Sequence, residues 1–342
     1  MTSHTTAAQR GPAGAGTRAG RARGAIAALL AAALVALTAA CSTTSEGGSG
    51  AGAAPAGTTA GTTRVVTTPD GDVTVPASPK RIVGLSYAAA WLLDAGIPMV
   101  GVTAIDDAAL SAEQKAKVKE IPLVGEGNEL NFEKIASLRP DLIVISAPKR
   151  VQFQIDKLRP IAPVVSFGIG NPDELLPTTL KVTDAAGHPE AGLAVKKQYE
   201  DKAAKLRATY AEKLARTNWA IVNSGEPGKF SAYDGKSWLG LVVKDAGGRF
   251  ATLPGVTFTD AWADLSFEEI GKLESADVIL VDGDEEGGKP SAETTELLGQ
   301  ANWKSLKAAR NGQVHPVPAF FTSRYPEAVR ILDQLEQVLT SL

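Results

Sequence analysis

Aromatic and cationic side chains lie close together in one short segment near the C-terminus, Ala319-Phe-Phe-Thr-Ser-Arg-Tyr325. Phe321, Arg324 and Tyr325 could present flat apolar surface together with a positive charge to a bulky ligand. The segment follows a predicted strand and precedes a predicted helix, and ligands of open α/β sheets bind beyond the carboxyl ends of strands. We therefore predict that this loop belongs to a ligand-binding site.

Five more candidate binding residues follow predicted strands or precede a predicted helix. All are aromatic or basic: Tyr87, Lys149, Arg150, Tyr233 and Trp262. Most aromatic side chains fill cores, and this alternative stays open for each aromatic candidate. Trp91 and Trp303 fall within helical periodicity, which predicts core positions for both.

Enzymatic motifs are incomplete. Gly84-Leu-Ser-Tyr-Ala88 follows a strand as a nucleophile elbow would, but Ala88 stands where hydrolases have Gly, and no suitably placed Asp and His follow. Gly125-Glu-Gly127 lacks the third glycine of a dinucleotide loop. We expect no catalysis and no cofactor, with a surface hydrolase as the alternative. His188 and His315 have no spaced partner, so we expect no bare metal site.

Short apolar runs alternate with helical stretches along most of the chain. The first folded segment, Arg64 to Pro76, has β-rich arms around Pro-Asp-Gly and predicts a hairpin. Seven later runs predict buried strands, most of them parallel: 81–85, 99–103, 141–146, 164–167, 219–223, 277–282 and 313–317. This alternation predicts an α/β fold.

A long helical stretch divides the alternating segments into two groups. From Pro189 to Arg216 the chain has no internal proline, and apolar residues recur at helical spacing, which predicts one continuous helix. We therefore expect two Rossmann-like α/β lobes, residues 64–187 and 218–342, joined by a single linking helix at 188–217.

The two lobes contain an internal repeat. Phe132-Glu-Lys-Ile-Ala-Ser-Leu138 before one strand recurs as Phe267-Glu-Glu-Ile-Gly-Lys-Leu273 before another. Ser266 and Glu269 predict a capping box in the second copy. Glu133 and Glu268 occupy matching positions in the first helical turn, where an acid interacts favourably with the helix dipole. The pattern alone leaves that structural role and a functional role open.

The N-terminus is typical of an exported protein. Residues 1–40 contain four arginines, no acid and the apolar run Ala25 to Ala40, which is too short to span a bilayer and ends in small residues, as a signal peptide does. The segment Leu37-Thr-Ala-Ala-Cys41 resembles a bacterial lipobox, although Thr38 stands where Leu is usual. This resemblance implies lipidation at Cys41; the alternative is a secreted protein with an unmodified cysteine. Residues 41–63, rich in Ser, Thr, Gly and Ala, predict a flexible tether.

Composition limits the possible partners. The 342 residues are 44% apolar, enough for a substantial core. Lys and Arg number 35 against 38 acids, so there is no basic field for nucleic acid. The single Cys excludes an intramolecular disulfide.

From about residue 64 to the C-terminus, the chain resembles the substrate-binding proteins of siderophore and vitamin B12 ABC importers. The resemblance rests on six motifs in the same order, none of them diagnostic alone: 79–85, 96–101, 131–143, the long helix, 266–270, and 303–309 with 312–315. In that family a ligand sits between two lobes bridged by one helix. One glutamate on each lobe docks on permease arginines, and the matching positions here are Glu133 and Glu268.

The resemblance implies a monomeric lipoprotein, held on the outer face of the cell membrane through Cys41, that delivers a ferric siderophore to an ABC permease. The candidate loops hold few cations, which favours a hydroxamate over a trianionic catecholate. Cobalamin and haem are the alternatives within the family. A lipid-anchored adaptor is the alternative outside it, and it would have a cleft filled by side chains.

Overall fold

The computed structural model describes residues 62–106, 110–284 and 288–342. They belong to one compact unit. The predicted signal peptide, Cys41 and the tether as far as residue 61 lie outside the described residues. None of the described helices is long and apolar enough to cross a membrane.

The described chain begins with the predicted hairpin. Strands β1 (Thr63–Thr68) and β2 (Gly71–Pro76) pair antiparallel, with Thr68 opposite Gly71. Gly71 has a φ of 115°, which a residue with a Cβ rarely adopts, so a glycine suits the point where the chain leaves the turn. The hairpin prediction is confirmed, and β1 already includes the last residue of the predicted tether.

The first lobe contains a six-stranded sheet of order β6-β5-β4-β3-β7-β8. All neighbouring strands are parallel except β5 and β6. A 3-10 turn, Pro172–Glu174, precedes the last helix. The elements of this lobe are β3 (Ile82–Ser86), α1 (Tyr87–Asp94), β4 (Gly101–Thr103), α2 (Ala112–Glu120), β5 (Leu123–Glu126), β6 (Glu129–Leu130), α3 (Phe132–Ser137), β7 (Leu142–Pro148), α4 (Ile155–Leu158), β8 (Val164–Ile169) and α5 (Leu175–Ala185).

The second lobe follows α6 (Pro189–Thr209) and α7 (Ala211–Arg216). A seven-residue 3-10 helix, Phe267–Leu273, lies between two of its strands. The elements of this lobe are β9 (Asn218–Glu226), β10 (Lys229–Tyr233), α8 (Trp238–Asp245), β11 (Arg249–Phe250), β12 (Trp262–Ser266), β13 (Val278–Asp282), α9 (Ala292–Gly299), α10 (Ala301–Lys304), α11 (Lys307–Arg310), β14 (Val314–Val317) and α12 (Tyr325–Ser341).

The second sheet is mixed. Its order is β12-β10-β9-β13-β14, with β11 also paired to β9. Strands β9, β13 and β14 are parallel, whereas β10 is antiparallel to both β9 and β12. The expected architecture of two α/β lobes with a long helix between them along the chain is confirmed.

The linking helix is interrupted near its end, in contrast to the continuous helix predicted over 188–217. Tyr210 has φ −113° and ψ 23°, which ends α6 before α7 begins. The Tyr210 hydroxyl lies 3.0 Å from Thr340 Oγ1, and Lys213 Nζ donates to the Leu339 carbonyl at 2.7 Å. These contacts with the end of α12 accompany the break, and helical periodicity carries no information about them.

The internal repeat appears in both lobes as a short helix followed by a strand. The Ser266 N–H donates to the Glu269 carboxylate at 3.0 Å, as a capping box requires. The second copy is a 3-10 helix, whereas α3 in the first copy is an α-helix. Gly271 inside the second copy lowers its α-helical propensity. The predicted core positions are confirmed, since Trp91 is 0% and Trp303 2% exposed.

Candidate ligand-binding site

A cavity of about 400 Å³ is lined by residues of both lobes. It lies beyond the carboxyl ends of β3 and β4 in the first lobe and of β14 in the second, where α/β sheets bind ligands. Its size falls within the range of small-molecule sites. The lining residues are Ser86, Tyr87, Ala90, Thr103, Ala104, Ile105, Asp106, Gly127, Ala319, Phe321, Ser323, Arg324 and Glu327.

Phe321 joins the cavity to a cluster of five aromatic rings, the aromatic cluster, formed by Tyr233, Trp238, Trp262, Phe320 and Phe321. Phe321 lies edge-on to Trp238 at 5.2 Å between ring centroids, and Trp238 stacks on Trp262 at 6.1 Å. Phe321 is 51% exposed although its neighbours are largely covered. An exposed ring backed by packed rings offers apolar area with little loss of side-chain entropy on binding.

Trp238 belongs to this cluster and was missed in the sequence analysis. It is the first residue of α8, after the N-cap Ser237, whose hydroxyl accepts the Gly240 N–H at 3.2 Å. Its ring packs against the buried cores of both lobes. The available signal was an aromatic residue in the first turn of a helix that closely follows the strand of Tyr233.

Tyr87 lines the cavity from the first lobe. Its ring stacks on Trp91 at 5.7 Å, and burial raises the pKa of its phenol while the Arg150 charge opposes that shift. Arg150 is therefore within electrostatic reach of the cavity, although it is not one of the lining residues. The Trp91 indole N–H donates to the Ser323 carbonyl at 2.8 Å, which joins the lobes beside Tyr87.

Arg324 lines the cavity but is already paired. Its Nε donates to Asp94 Oδ2 at 2.8 Å, Nη2 donates to Asp94 Oδ1, and Nη1 lies 3.6 Å from Glu327 Oε1. The side chain is 4% exposed. The sequence predicts a cation presented to the ligand, whereas the structure shows a guanidinium held mainly by a carboxylate of the other lobe.

Glu327 and Ser86 are two further lining residues that were missed in the sequence analysis. The Glu327 carboxylate accepts the Ser323 and Arg324 N–H groups at 2.8 and 3.1 Å, and burial raises its pKa. Ser86 has a φ of 54°, unusual for a residue with a side chain, and its N–H donates to Thr103 Oγ1 at 2.7 Å. A glutamate three residues after a helix N-cap was the available signal for Glu327.

Five predicted site residues are not among the lining residues of the cavity: Lys149, Arg150, Tyr233, Trp262 and Tyr325. Tyr325 is 4% exposed in the core of the second lobe, 5.7 Å from Tyr199 between ring centroids. Tyr233 and Trp262 lie behind Phe321 in the aromatic cluster, where the Tyr233 hydroxyl donates to Asn223 at 2.9 Å. Lys149 runs along the backbone of Gly168 and Gly170 and lines a different depression.

Glu133 and Glu268 are exposed in the first turns of α3 and the 267–273 helix. A hydrogen bond from the Ser266 hydroxyl holds the pKa of Glu268 below its usual range. Each lobe therefore presents one exposed carboxyl group from a matching position of the internal repeat.

The sequence model of the periplasmic binding protein family matches residues 82–319, and the chain belongs to this family. Its members are transport components rather than enzymes. Two relatives from Bacillus subtilis (strain 168) are the Fe(3+)-citrate-binding protein YfmC, 26% identical over 74% of this chain and 78% of YfmC, and the iron(3+)-hydroxamate-binding protein YxeB, 28% identical over 73% of this chain and 76% of YxeB.

A solved structure supports the same assignment. The siderophore periplasmic binding protein from the fuscachelin gene cluster of Thermobifida fusca is 32% identical, with a TM-score of 0.67, over 78% of this chain and 98% of that protein. The fold and the family therefore define a two-lobed substrate-binding protein.

Proposed function

We propose that this protein is the substrate-binding component of an ABC importer, which binds a ferric siderophore in the inter-lobe cleft and delivers it to a membrane permease. The observation that carries the proposal is the open cavity of about 400 Å³ to which both lobes contribute, with an exposed aromatic ring backed by the aromatic cluster. A cleft filled by side chains, as an adaptor would have, does not match this geometry.

The iron in this proposal arrives already chelated. Among residues 62–106, 110–284 and 288–342, no group of three His, Cys, Asp or Glu side chains could hold a metal ion. The protein therefore recognises the outside of the complex, through apolar contact with Phe321 and Tyr87 and polar contact with the groups around Arg324.

Glu133 and Glu268 are the proposed docking residues for the permease. They are exposed, one on each lobe, at equivalent positions of the internal repeat. Carboxylates in fixed positions suit bidentate pairing with arginines of a partner, which gives both orientation and attraction. Two such points, one per lobe, would orient the protein above the permease.

The proposal places the protein, as a monomer, on the outer face of the cell membrane. Its support is the signal-like leader followed by Cys41 and a tether of small residues. Two acyl chains on the cysteine would anchor the protein stably, whereas one would bind the membrane only marginally.

Tryptophan fluorescence tests the binding function. Purified mature protein is titrated with ferric hydroxamates, ferric catecholates, ferric citrate, haem and cobalamin, and calorimetry checks every apparent Kd. We expect saturable quenching by a ferric siderophore, recovery of the chelate unchanged, and weaker response to its iron-free form. Binding by haem or cobalamin alone would replace the siderophore proposal, and chemical turnover of any ligand would contradict it.

Two matched variants locate the quenched fluorophore. Trp238→Phe removes the indole that contacts Phe321 of the cavity lining, and Trp303→Phe removes a buried indole in a separate core cluster of the second lobe. We expect Trp238→Phe to lose the larger share of the quenching amplitude. Equal losses in the two variants would place the ligand elsewhere.

A further inference from the structure

The charged groups around the cavity are predominantly acidic. Two acids, Asp106 and Glu327, line it. Among the described residues that line the cavity, Arg324 is the only Lys or Arg. The Arg324 charge is opposed at close range by Asp94, with Nε 2.8 Å from Oδ2, and by Glu327 at 3.6 Å. The Asp106 charge also acts on Arg324. The guanidinium therefore leaves little positive potential for a ligand.

The helix N-termini near the cavity change the balance of negative and positive charge around it only slightly. Glu327 accepts the Ser323 and Arg324 N–H groups at the start of α12, so the positive end of that helix already has a carboxylate. Helix α1 adds a fractional positive charge of about one half. Arg150, which acts on Tyr87, adds one full charge from outside the lining. The carboxyl groups of Asp94, Asp106 and Glu327 set against these positive groups leave the site close to neutral, without a surplus of positive charge.

A second, separate depression is also lined by residues of both lobes. Asn171 to Asp173 of the first lobe face a second-lobe group that includes Asp234, Lys236 and Asp260. Three aspartates there are matched by a single lysine. The adjoining depression of the first lobe shares Asn171 and Asp173 and adds Glu174 with two lysines, Lys149 and Lys181, so acids exceed bases by one over the two depressions together.

We propose that the cleft binds ferric chelates of zero or positive net charge and discriminates against anionic chelates. This inference rests on the proposed function and names the substrate class within it. Three hydroxamates balance the charge of Fe(III), so the charge of a trihydroxamate complex is set by its periphery. Tris-catecholate complexes carry several negative charges, which this site does not neutralise.

A series of ferric chelates with the same iron-binding groups and different net charges isolates the effect of ligand charge on Kd. The probes are ferrioxamine B, whose free ammonium gives a net charge of +1, its N-acetyl derivative at zero and its N-succinyl derivative at −1. We expect Kd to rise about tenfold from the cationic to the anionic member at low salt, and the spread to shrink as ionic strength rises. Ferric citrate and a ferric tris-catecholate are titrated in the same panel.

The variant Asp106→Asn tests whether the cavity is the source of this effect. Asp106 is exposed at the cavity edge, so the substitution removes one negative charge without disturbing a core. We expect it to narrow the ratio of Kd values between the +1 and −1 ligands severalfold. Asp201→Asn, on the exposed side of α6 and outside the cavity lining, is the matched control and should leave the ratio unchanged.

The outcomes separate this inference from the proposed function. Binding of the −1 ligand, ferric citrate or the catecholate as tightly as the cation would overturn the charge inference while leaving a ferric chelate-binding protein. An unchanged ratio in Asp106→Asn would also overturn it. Failure of every ferric chelate to bind would overturn the proposed function itself.

Discussion

Arg324 and Asp94 form a buried ion pair between the two lobes. The residues are 230 positions apart in the chain, their side chains are 4% and 2% exposed, and Arg324 Nε lies 2.8 Å from Asp94 Oδ2. Gln114 adds a hydrogen bond to Asp94 at 2.9 Å. The pair contributes to the junction of the lobes next to the cavity, so Arg324 has a structural role in addition to any contact with ligand.

Removing Arg324 should destabilise the protein. In Arg324→Ala the Asp94 carboxylate stays buried without its cationic partner, and we expect the free energy of unfolding to fall by about 3 kcal/mol. Urea denaturation followed by circular dichroism measures the change. The exposed pair Lys197 and Asp201 supplies the control, since Lys197→Ala should cost less than about 1 kcal/mol.

A double variant distinguishes the ion pair from lost packing. Arg324→Met combined with Asp94→Leu removes both charges of the pair, and we expect it to be more stable than Arg324→Ala because the Asp94 charge is no longer buried without its partner. Strict additivity of the single Arg324→Met and Asp94→Leu effects would show that the two side chains are not coupled.

Phe321 should contribute to ligand affinity with little effect on stability. Its ring is 51% exposed at the cavity, so a ligand can bury the remaining surface. We expect Phe321→Ala to raise Kd roughly tenfold, the effect of losing about 1–2 kcal/mol of apolar contact. Leu193→Ala removes a similarly exposed apolar side chain on α6 and should leave Kd unchanged. A wild-type Kd in Phe321→Ala would remove this ring from the site.

Reversing the charge of Glu133 and Glu268 should abolish transport and preserve ligand binding. The variant Glu133→Arg/Glu268→Arg would repel permease arginines at both proposed docking points, and uptake of radioactive ferric chelate by cells should fall at least tenfold. Calorimetry with purified protein should give the wild-type Kd. Loss of binding would show that the glutamates are structural.

The matched control for docking is Glu113→Arg/Glu293→Arg. These acids also lie in first helical turns, in α2 and α9, so both double variants remove the same interaction with the helix dipole. We expect normal uptake in the control. Equal loss of uptake in the two double variants would favour the structural role that the sequence pattern left open.

Glu327 should make stability depend on pH. Burial raises the pKa of its carboxyl, so the folded protein retains this proton at a pH where the unfolded chain has lost it. Stability from this group is present below the unfolded pKa of about 4.3 and is lost as pH rises through the higher folded pKa. The wild type should therefore lose stability relative to Glu327→Gln between pH 4 and pH 7 in urea denaturation. A difference that stays constant over this range would contradict the raised pKa.

Local patterns were sufficient to predict most elements of the fold. The hairpin around Pro69 and Asp70, the runs that became β3 and β7, and the capping interaction of Ser266 with Glu269 each depend on residues close in sequence. Hydrogen bonds of turns and caps, and the burial of continuous apolar runs, follow from short-range chemistry.

Only some of the residues that line the cavity were predicted from the sequence. Tyr87, Phe321 and Arg324 line the cavity, whereas Tyr325 of the same C-terminal segment packs in the core beside Tyr199. Phe321 and Tyr325 are both aromatic, and the sequence placed both in the same predicted loop. The direction in which each ring points depends on the packing of α6 and α12, which no local pattern encodes.

By itself, the sequence determined the alternation of strands and helices, the division into two lobes and the matching positions of Glu133 and Glu268 in the internal repeat, because periodicity and capping depend on residues close together in the chain. Tertiary structure alone decided that Asp94 neutralises Arg324, that Trp238 joins the aromatic cluster and that Tyr210 interrupts the long helix. Each of these depends on groups far apart in the chain, whose charges and surfaces meet only when the chain folds.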